Sequence, residues 1–142
     1  MYFGLFVHSL DDKGRLMIPS KLREGLVSGS PLFVLKGFEG CLAVYNESSF
    51  QKLVSNMENY SYNDLAARKY IRNILPSVVQ LNVDKLGRIQ IPTFTLEKYK
   101  ISKQVVVIGV GDHFEIWDEK AYLEYEEKNS ADFEENAESL NK

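Results

Sequence analysis

The segment DDKGRLMIP, residues 11–19, returns as DKLGRIQIP at residues 84–92. Each copy contains an Asp, a short loop, a Gly-Arg pair, alternating apolar residues and a final Pro, and the copies begin 73 positions apart. Solenoid repeats have periods of roughly 20–50 residues. Two copies at this longer distance therefore indicate a duplicated half-domain, and they predict two halves related by pseudo-two-fold symmetry.

The duplication extends beyond the opening segments into residues 31–53 and 104–125. Here the matching residues are offset by 72 positions instead of 73, so one residue is missing between the two matches in the second copy. The matched pairs are Gly37 with Gly109, Leu42 with Phe114, Tyr45 with Trp117 and Asn46 with Asp118. Both copies should therefore contain the same elements in the same order.

Each copy is predicted to begin with a hairpin. A run rich in β-forming residues precedes the shared segment and is expected to be the first strand. The Asp and Gly of the shared segment favour a turn. The alternation that follows favours a second strand with Leu16 and Ile18 on the face opposite Arg15. The predicted first strands, turns and starts of the second strands are 2–10, 11–14 and Arg15 in one copy and 76–83, 84–87 and Arg88 in the other.

A second hairpin and several helices complete each predicted half. Pro19 and Pro92 should end the preceding strands and lie in the first turn of short helices. Asn46 and Asp118 are good N-caps for helices after the second hairpins, and a further helix that ends at Pro76 should link the copies. The predicted ranges are 20–26 and 93–99 for the short helices, 32–45 and 105–117 for the second hairpins, and 63–75 for the linking helix.

Four regions are predicted along the chain. The first half should cover residues 1–60, the linking helix 61–76 and the second half 77–128. Residues 129–142 are acidic and contain few large apolar side chains, so we expect a disordered tail or a frayed helix there.

Composition excludes several classes of protein and of site. The 142 residues, 44% of them hydrophobic and 26% charged, suit one soluble domain or two packed halves. No apolar run approaches the ~20 residues of a membrane span, so we expect a cytosolic protein. The single Cys41 excludes an intramolecular disulfide and a multi-cysteine zinc site, and His8 and His113 lack partners at metal-ligand spacing. We expect no metal, no cofactor and no enzymatic activity.

Charge is distributed unevenly along the chain. From Asp118 onward nine acidic residues accompany three basic ones, which gives this segment a net charge of −6. The preceding 117 residues carry 14 basic and 11 acidic residues, a net charge of +3. The mildly basic body permits binding to a polyanion without requiring it.

The doubled segment resembles a known family. An Asp-x-x-x-Arg motif runs from Asp11 to Arg15 and again from Asp84 to Arg88, each time inside the same Gly-Arg-apolar-x-apolar-Pro frame. With LDDKGRLMIPSKLRE, NVDKLGRIQIP and VVVIGVGDHFEIWDEKAY around them, these motifs resemble the MraZ family, whose members regulate the division and cell wall gene cluster of bacteria. The resemblance covers the chain except for its acidic tail.

The resemblance implies a fold, an assembly and a function. The fold would be α+β, mainly a β barrel with peripheral helices, in which two swapped-hairpin halves of the AbrB type interleave into one barrel. The protein would form a homo-oligomeric ring and bind short direct repeats of double-stranded DNA in the promoter of its own operon, usually as a repressor. It would lie in the cytoplasm at the nucleoid, with no membrane partner and no small-molecule substrate.

The DNA-binding residues are expected in the two loops. Gly lets the backbone approach the DNA, and the guanidinium fork of Arg matches guanine O6 and N7 or a phosphate. Lys supplies phosphate contacts, which add affinity but little sequence information. Asp11 and Asp84 should close the loops and hold the arginines, and Lys21 and Arg23 are candidates for further phosphate contacts. The predicted DNA contacts are Lys13, Gly14, Arg15, Lys85, Leu86, Gly87 and Arg88.

A second hypothesis stays open. The Asp-Arg loops would then be subunit contacts of an oligomeric scaffold that binds no DNA, and the modest charge of the body and the acidic tail favour this interpretation. On the linking helix, Arg68, Lys69 and Arg72 are expected to form a solvated face or a subunit contact. Contact of these three residues with DNA is the weaker interpretation.

Overall fold

The computed structural model describes residues 1–141, which form strands and helices in a mixed order. The strands are β1 (Tyr2–Ser9), β2 (Arg15–Met17), β3 (Pro31–Lys36), β4 (Leu42–Asn46), β5 (Val79–Asn82), β6 (Arg88–Gln90), β7 (Gln104–Gly111) and β8 (His113–Asp118). The helices are α1 (Glu47–Glu58), α2 (Leu65–Ile74), α3 (Thr93–Lys98), α4 (Glu119–Asn129) and α5 (Phe133–Leu140). The predicted α+β class is confirmed.

Six strands form one antiparallel sheet in the order β1-β7-β8-β4-β3-β5, while β2 and β6 form a separate antiparallel ribbon. The predicted second hairpins are present as β3 with β4 and β7 with β8. In the middle of the sheet β4 pairs with β8. This pairing joins the two halves of the duplication side by side.

The opening strands cross between the halves. β1 pairs with β7, β5 pairs with β3, and β2 pairs with β6. The halves therefore interleave, but the predicted opening hairpin is wrong, because β1 and β2 turn at the loop and then pair with different strands. This exchange places the apolar rows of both copies in one core, where four side chains are at most 1% exposed: Leu16, Ile18, Ile89 and Ile91.

A closed barrel is not formed by the strands. Within residues 1–141 no pairing joins β1 to β5, so these two strands are the edges of the sheet. The reason is that β2 and β6 pair with each other rather than continuing the sheet. Their ribbon contacts both edges, β2 beside β1 and β6 beside β5. The prediction of one barrel is thus corrected to an open sheet with a ribbon between its edges.

Strand register locates the missing residue of the second copy. Lys36 lies opposite Leu42 in the first half, and Gly109 lies opposite Phe114 in the second. The connection between these positions is therefore one residue shorter in the second half. The predicted match of Gly37 with Gly109 is wrong, because Gly109 occupies the place of Lys36 in the strand. The duplication keeps the offset of 73 up to Gly109 and changes it between Gly109 and Phe114.

The predicted N-caps are present, but one predicted helix is not. Asn46 Oδ1 accepts the backbone N–H of Ser49 (2.9 Å), and Asp118 caps α4 through Ala121 (3.3 Å). The helix predicted at 20–26 is only a 3-10 turn, Ser20–Leu22, whereas its counterpart α3 is a helix. In the first copy Gly25 has a φ of 81°, which an α-helix does not permit, so a helix cannot continue through this residue. Pro19 and Pro92 stand just before the first turns rather than inside them.

The helices cover the outer face of the sheet unequally. α1 and α2 pack on a cluster around Leu35 and Tyr45, while α4 packs on Trp117. α5 lies within the tail predicted to be either disordered or a frayed helix, so this part of the tail is helical. Phe133 and Leu140 of this helix are exposed. The four predicted region boundaries stay a prediction. In residues 1–141 every helix is too short or too polar to cross a membrane.

Candidate functional site

The loop between β1 and β2 is organised by Asp11. Asp11 Oδ1 accepts the backbone N–H groups of Lys13 and Arg15, both at 2.9 Å. The backbone carbonyl of Asp11 accepts the N–H of Gly14 at 3.0 Å, and its own N–H donates to the carbonyl of Arg15 at 3.1 Å. Asp11 thus binds three N–H donors of the loop, two through its carboxylate and one through its backbone carbonyl, and its bonds to Arg15 fix where β2 begins.

The loop between β5 and β6 repeats this arrangement around Asp84. Asp84 Oδ1 accepts the N–H groups of Leu86 (2.9 Å) and Arg88 (2.8 Å), and the Asp84 carbonyl accepts the N–H of Gly87 (3.1 Å). The N–H of Asp84 donates to the carbonyl of Arg88 at 2.8 Å. The two loops therefore share one backbone conformation, although their side chains differ between the Asp and the Gly.

Both turns require glycine at one position. Gly14 and Gly87 have φ values of 75° and 84°, in the left-handed region that other residues seldom adopt. A side chain at Gly14 would place its Cβ 2.9 Å from the carbonyl oxygen of Ile91. A side chain at Gly87 would collide with the guanidinium of Arg23. Conformation and space both select Gly here.

The same two carboxylates hold the arginine side chains. Arg15 Nε lies 2.5 Å from Asp11 Oδ2, and Arg88 Nε lies 2.8 Å from Asp84 Oδ2. The backbone N–H of the arginine, aided by its guanidinium, lowers the pKa of each carboxyl group below the ordinary 3.8. Both groups are therefore ionised at neutral pH. The Nη groups of both arginines contact no acceptor in residues 1–141, and the side chains are 29% and 24% exposed.

The ribbon brings the two arginines to one face. Arg15 lies opposite Gln90 and Met17 lies opposite Arg88, while the alternate pair, Leu16 and Ile89, points into the core. Because residues i and i+2 of a strand share a face, the outward face carries the other four side chains. The Cα atoms of diagonal neighbours in such a ladder are roughly 7–8 Å apart, and Arg15 and Arg88 stand in this diagonal relation.

Hydrogen bonds between the halves fix the loops against the ribbon. The N–H of Ile18 donates to the carbonyl of Gly87, and the N–H of Ile91 donates to the carbonyl of Gly14, both at 3.0 Å. Gln90 Nε2 donates to the carbonyl of Lys13 at 3.1 Å. Each loop is therefore held by the strand that follows the other loop, and the two loops with the ribbon form one unit.

The remaining predicted residues surround this unit in different ways. Lys13, Lys85 and Leu86 are exposed at the loop tips, and Lys21 is exposed beside them. Arg23 is only half-buried, lies against Gly87, and directs its Nη1 toward the carbonyl of Leu86 at 3.5 Å. Arg23 thus supports the second loop through its contacts with Gly87 and with the carbonyl of Leu86. Its use as a phosphate contact, like that of Lys21, stays a prediction.

Met17 and Gln90 were not among the predicted site residues. Alternation along each strand already places Met17 beside Arg15 and Gln90 beside Arg88 on the polar face. The sequence does not say that β2 pairs with β6, and only this pairing joins the four side chains into one surface. The sequence therefore predicts which side chains of each strand face outward, but it does not predict that the two strands pair.

Two of the three basic residues of the linking helix form hydrogen bonds with residues just before it. Arg68 donates to the carbonyls of Tyr62 (3.1 Å) and Asn63 (3.2 Å), and Arg72 Nε donates to the Tyr62 hydroxyl (3.3 Å). These bonds fix the turn before α2, while Lys69 is exposed. Among residues 1–141 no three side chains of His, Cys, Asp or Glu come together as metal ligands would.

Comparison with known proteins identifies a family that spans the chain. The sequence profile of the family described as "MraZ protein, putative antitoxin-like" matches residues 1–73 and 75–142. The two matched segments follow the duplication, with the boundary at the end of α2. The family match therefore covers both loops and the ribbon.

Full-length relatives support the same assignment. A protein of Mesoplasma florum named transcriptional regulator MraZ is 41% identical over 140 residues, which cover 99% of this chain and 95% of the relative. Proteins of the same name from Dictyoglomus thermophilum and Lactiplantibacillus plantarum are 38% and 37% identical, over 92% and 99% of this chain and 88% and 98% of the relatives. The expectation that the chain is not an enzyme is confirmed by these matches. The chain belongs to the MraZ family of transcriptional regulators.

Proposed function

We propose that this protein binds double-stranded DNA sequence-specifically and that the outward face of the β2–β6 ribbon is the contact surface. The observation that carries the proposal is the pair of arginines on that face. Arg15 and Arg88 are each anchored through Nε by a carboxylate, and within residues 1–141 the Nη groups of both contact no acceptor. The name of the relatives, transcriptional regulator, supports DNA as the partner.

The ribbon has suitable dimensions for a DNA groove. The major groove of B-DNA is about 12 Å wide and admits a two-stranded β-ribbon. The backbone positions of the two arginines, roughly 7–8 Å apart, span a length similar to two base steps of about 3.4 Å each. Guanidinium Nη groups pair with guanine O6 and N7. Because Asp11 and Asp84 already fix both guanidinium groups, binding would cost little side-chain entropy.

Lysines at the loop tips fit a supporting role. Lys13 and Lys85 are exposed on either side of the ribbon, where they would contact the phosphates that border the groove. Phosphate contacts raise affinity for any sequence and make it depend on salt. The glycines of both turns would contribute by fixing the loop backbone, because their positive φ and the neighbours Ile91 and Arg23 leave no room for a Cβ.

The regulatory role follows from the family rather than from the ribbon. We infer that the protein represses transcription from the promoter of the division and cell wall operon by binding short direct repeats there. A protein that acts on the chromosome is expected in the cytoplasm at the nucleoid. A footprint on the upstream DNA of that operon tests this inference, because it reveals the boxes and their spacing together.

An apolar row on β1 supports the oligomeric part of the proposal. Phe3, Leu5 and Val7 are 69%, 50% and 59% exposed on the outer face of this edge strand, next to Val110 of β7. Contiguous exposed apolar side chains mark interaction surfaces in soluble proteins. We infer that copies of the chain associate through this face into a ring, which would present the ribbon repeatedly to repeated boxes.

The scaffold hypothesis makes a different prediction for the same residues. If the Asp-Arg loops were subunit contacts, removal of Arg15 would dissociate the oligomer. If the ribbon binds DNA, the oligomer would persist without binding. The exposed apolar row on β1 favours the second outcome because it offers an interface that contains neither arginine.

The deciding experiment compares Arg15→Ala, Arg88→Ala and the double variant with the wild type. Gel shifts on promoter DNA should show roughly 5- to 160-fold weaker binding for each single variant, since one bidentate guanine contact is worth about 1–3 kcal/mol. The double variant should retain only salt-dependent nonspecific binding. Arg72→Ala on α2 is the matched control and should bind normally.

Light scattering after size-exclusion chromatography and circular dichroism complete the test. All variants should keep the wild-type mass and a cooperative unfolding transition. Arg15→Lys should recover part of the affinity but not the sequence preference, because Lys keeps the charge and lacks the fork. Normal binding by the double variant refutes the assignment of the ribbon face, and loss of the oligomer in Arg15→Ala supports the scaffold hypothesis instead.

A further inference from the structure

The outward face of the ribbon is symmetric in its arginines and asymmetric in its other two residues. Pseudo-two-fold symmetry relates Arg15 to Arg88, and it relates Met17 to Gln90. One end of the face therefore carries Arg15 opposite Gln90, and the other end carries Arg88 opposite Met17. Two equal ends would favour a palindromic site, whereas these ends present different chemistry.

Gln90 is positioned with one donor and one acceptor left for a base. Its Nε2 gives one N–H to the carbonyl of Lys13 at 3.1 Å, which fixes the plane of the amide. The second N–H and Oε1 have no partner among residues 1–141, and the side chain is exposed. A donor next to an acceptor matches adenine N7 and N6, which is the usual pairing of Gln or Asn with a base in the major groove.

Met17 offers a different contact at the matching position. Its side chain is 38% exposed and carries only apolar carbon and a thioether, which is a weak acceptor. In the major groove such a side chain contacts the C5-methyl group of thymine. The carbonyl of Leu86, which corresponds to that of Lys13, is approached by Arg23 instead of by residue 17. The two ends of the ribbon thus differ in their side chains and in how these are held.

We propose that Gln90 and Met17 are specificity-determining residues, which make the DNA element read by one subunit directional. Gln90 selects adenine beside the base pair contacted by Arg15, and Met17 accepts thymine or discriminates weakly beside the base pair contacted by Arg88. The inference rests on the proposed function, because it concerns the same ribbon face. It adds which two residues make the element read by a single subunit non-palindromic, as the direct repeats of the proposed function require.

The test is selection of randomised double-stranded DNA by the full-length protein, followed by affinity measurements on every single-base variant of the selected element. The wild type should select a non-palindromic element with one strong adenine preference. Gln90→Met should lose that preference roughly tenfold and select an element with two equivalent ends. Met17→Gln should gain a second adenine preference, again with equivalent ends.

Gln80 on β5 provides the matched control, since it is an exposed strand glutamine outside the ribbon. Gln80→Met should select the wild-type element. A wild-type element that is already palindromic, or a Gln90→Met variant with unchanged base preferences, overturns the inference and leaves the proposed function intact. Failure of the wild type to select any sequence overturns the proposed function, and the inference with it.

Discussion

The first loop, residues 11–15, and the second loop, residues 84–88, have the same backbone and different surroundings. Gly14 packs against the carbonyl oxygen of Ile91 and the Cδ1 of Leu96, which a Cβ would approach to 2.9 Å and 3.2 Å. Gly87 packs against Arg23, which stands at the position that corresponds to Leu96. A rigid backbone atom confines the first loop, and the end of a flexible side chain confines the second.

The residues that brace the two loops are also different. Gln90 donates to the carbonyl of Lys13 at 3.1 Å, and Arg23 approaches the carbonyl of Leu86 at 3.5 Å. Each brace comes from the other half, but the two bracing residues are not related by the duplication. The Asp, Gly and Arg therefore define the loop conformation in both copies. The residues around each loop decide how well it tolerates a side chain at its glycine and which group braces it.

The largest difference between the two loops should be in the loss of stability when each glycine is replaced by alanine. A positive φ costs a non-glycine residue about 1–2 kcal/mol in both loops. Gly14→Ala should cost clearly more than Gly87→Ala, because Ile91 O belongs to the backbone directly after β6 and cannot move away, whereas Arg23 can swing aside. Urea unfolding, which reports the free energy of unfolding, measures both variants.

Second substitutions sharpen this comparison. Arg23→Ala removes the obstacle at Gly87, so it should reduce the cost of Gly87→Ala to that of the positive φ alone. Leu96→Ala should not rescue Gly14→Ala, since the carbonyl of Ile91 remains. Equal costs for the two glycine variants, or a rescue of Gly14→Ala by Leu96→Ala, would contradict the distinction between a rigid and a flexible neighbour.

Acid is expected to lower the stability of the protein by a smaller amount, with equal contributions from the two loops. Both Asp11 and Asp84 have a folded-state pKa below the ordinary 3.8, chiefly because each accepts the backbone N–H of its arginine. A lowered pKa means that the stabilisation is fully present above the unfolded value and is lost as the pH falls through the folded value. The melting temperature should therefore fall in this acidic range.

Neutral variants test the source of that loss. Asp11→Asn and Asp84→Asn should each remove part of the acid dependence and by similar amounts, because the two carboxylates make the same bonds. Asp132→Asn, at an exposed position in the acidic tail, is the control and should leave the dependence unchanged. If only one loop variant alters the melting curve, the two loops are not electrostatically equivalent.

The smallest difference should come from the exposed charges that the duplication does not share. Lys85 corresponds to Asp12, which lies 3.9 Å from Lys103. Lys85→Ala should weaken DNA binding by a few-fold for every sequence and reduce the salt slope by about 1. Asp12→Ala should strengthen binding slightly, since it removes a negative charge beside the proposed DNA-binding surface. Gel shifts at several salt concentrations measure both changes, and a change in base preference for either variant would contradict a purely electrostatic role.

Local signals predicted the elements well where one residue decides the geometry. Asn46 and Asp118 begin their helices as N-caps, and both hairpins of the second type form. The helix predicted at 20–26 is wrong because Gly25 stands where the second copy has Lys98, so the two copies differ in structure here. A glycine that adopts positive φ ends a helix, whatever its counterpart does.

Sequence by itself determined the two loops, their glycines, the pairing of each Asp with its own Arg, and the alternation that separates Leu16 from Arg15. These features depend on residues at most a few positions apart. Only the tertiary structure decided which strands pair, and thus that Arg15 and Arg88 share one face. Strand pairing depends on how apolar rows more than 70 residues apart bury one another, and alternation along a single strand contains no information about its partner.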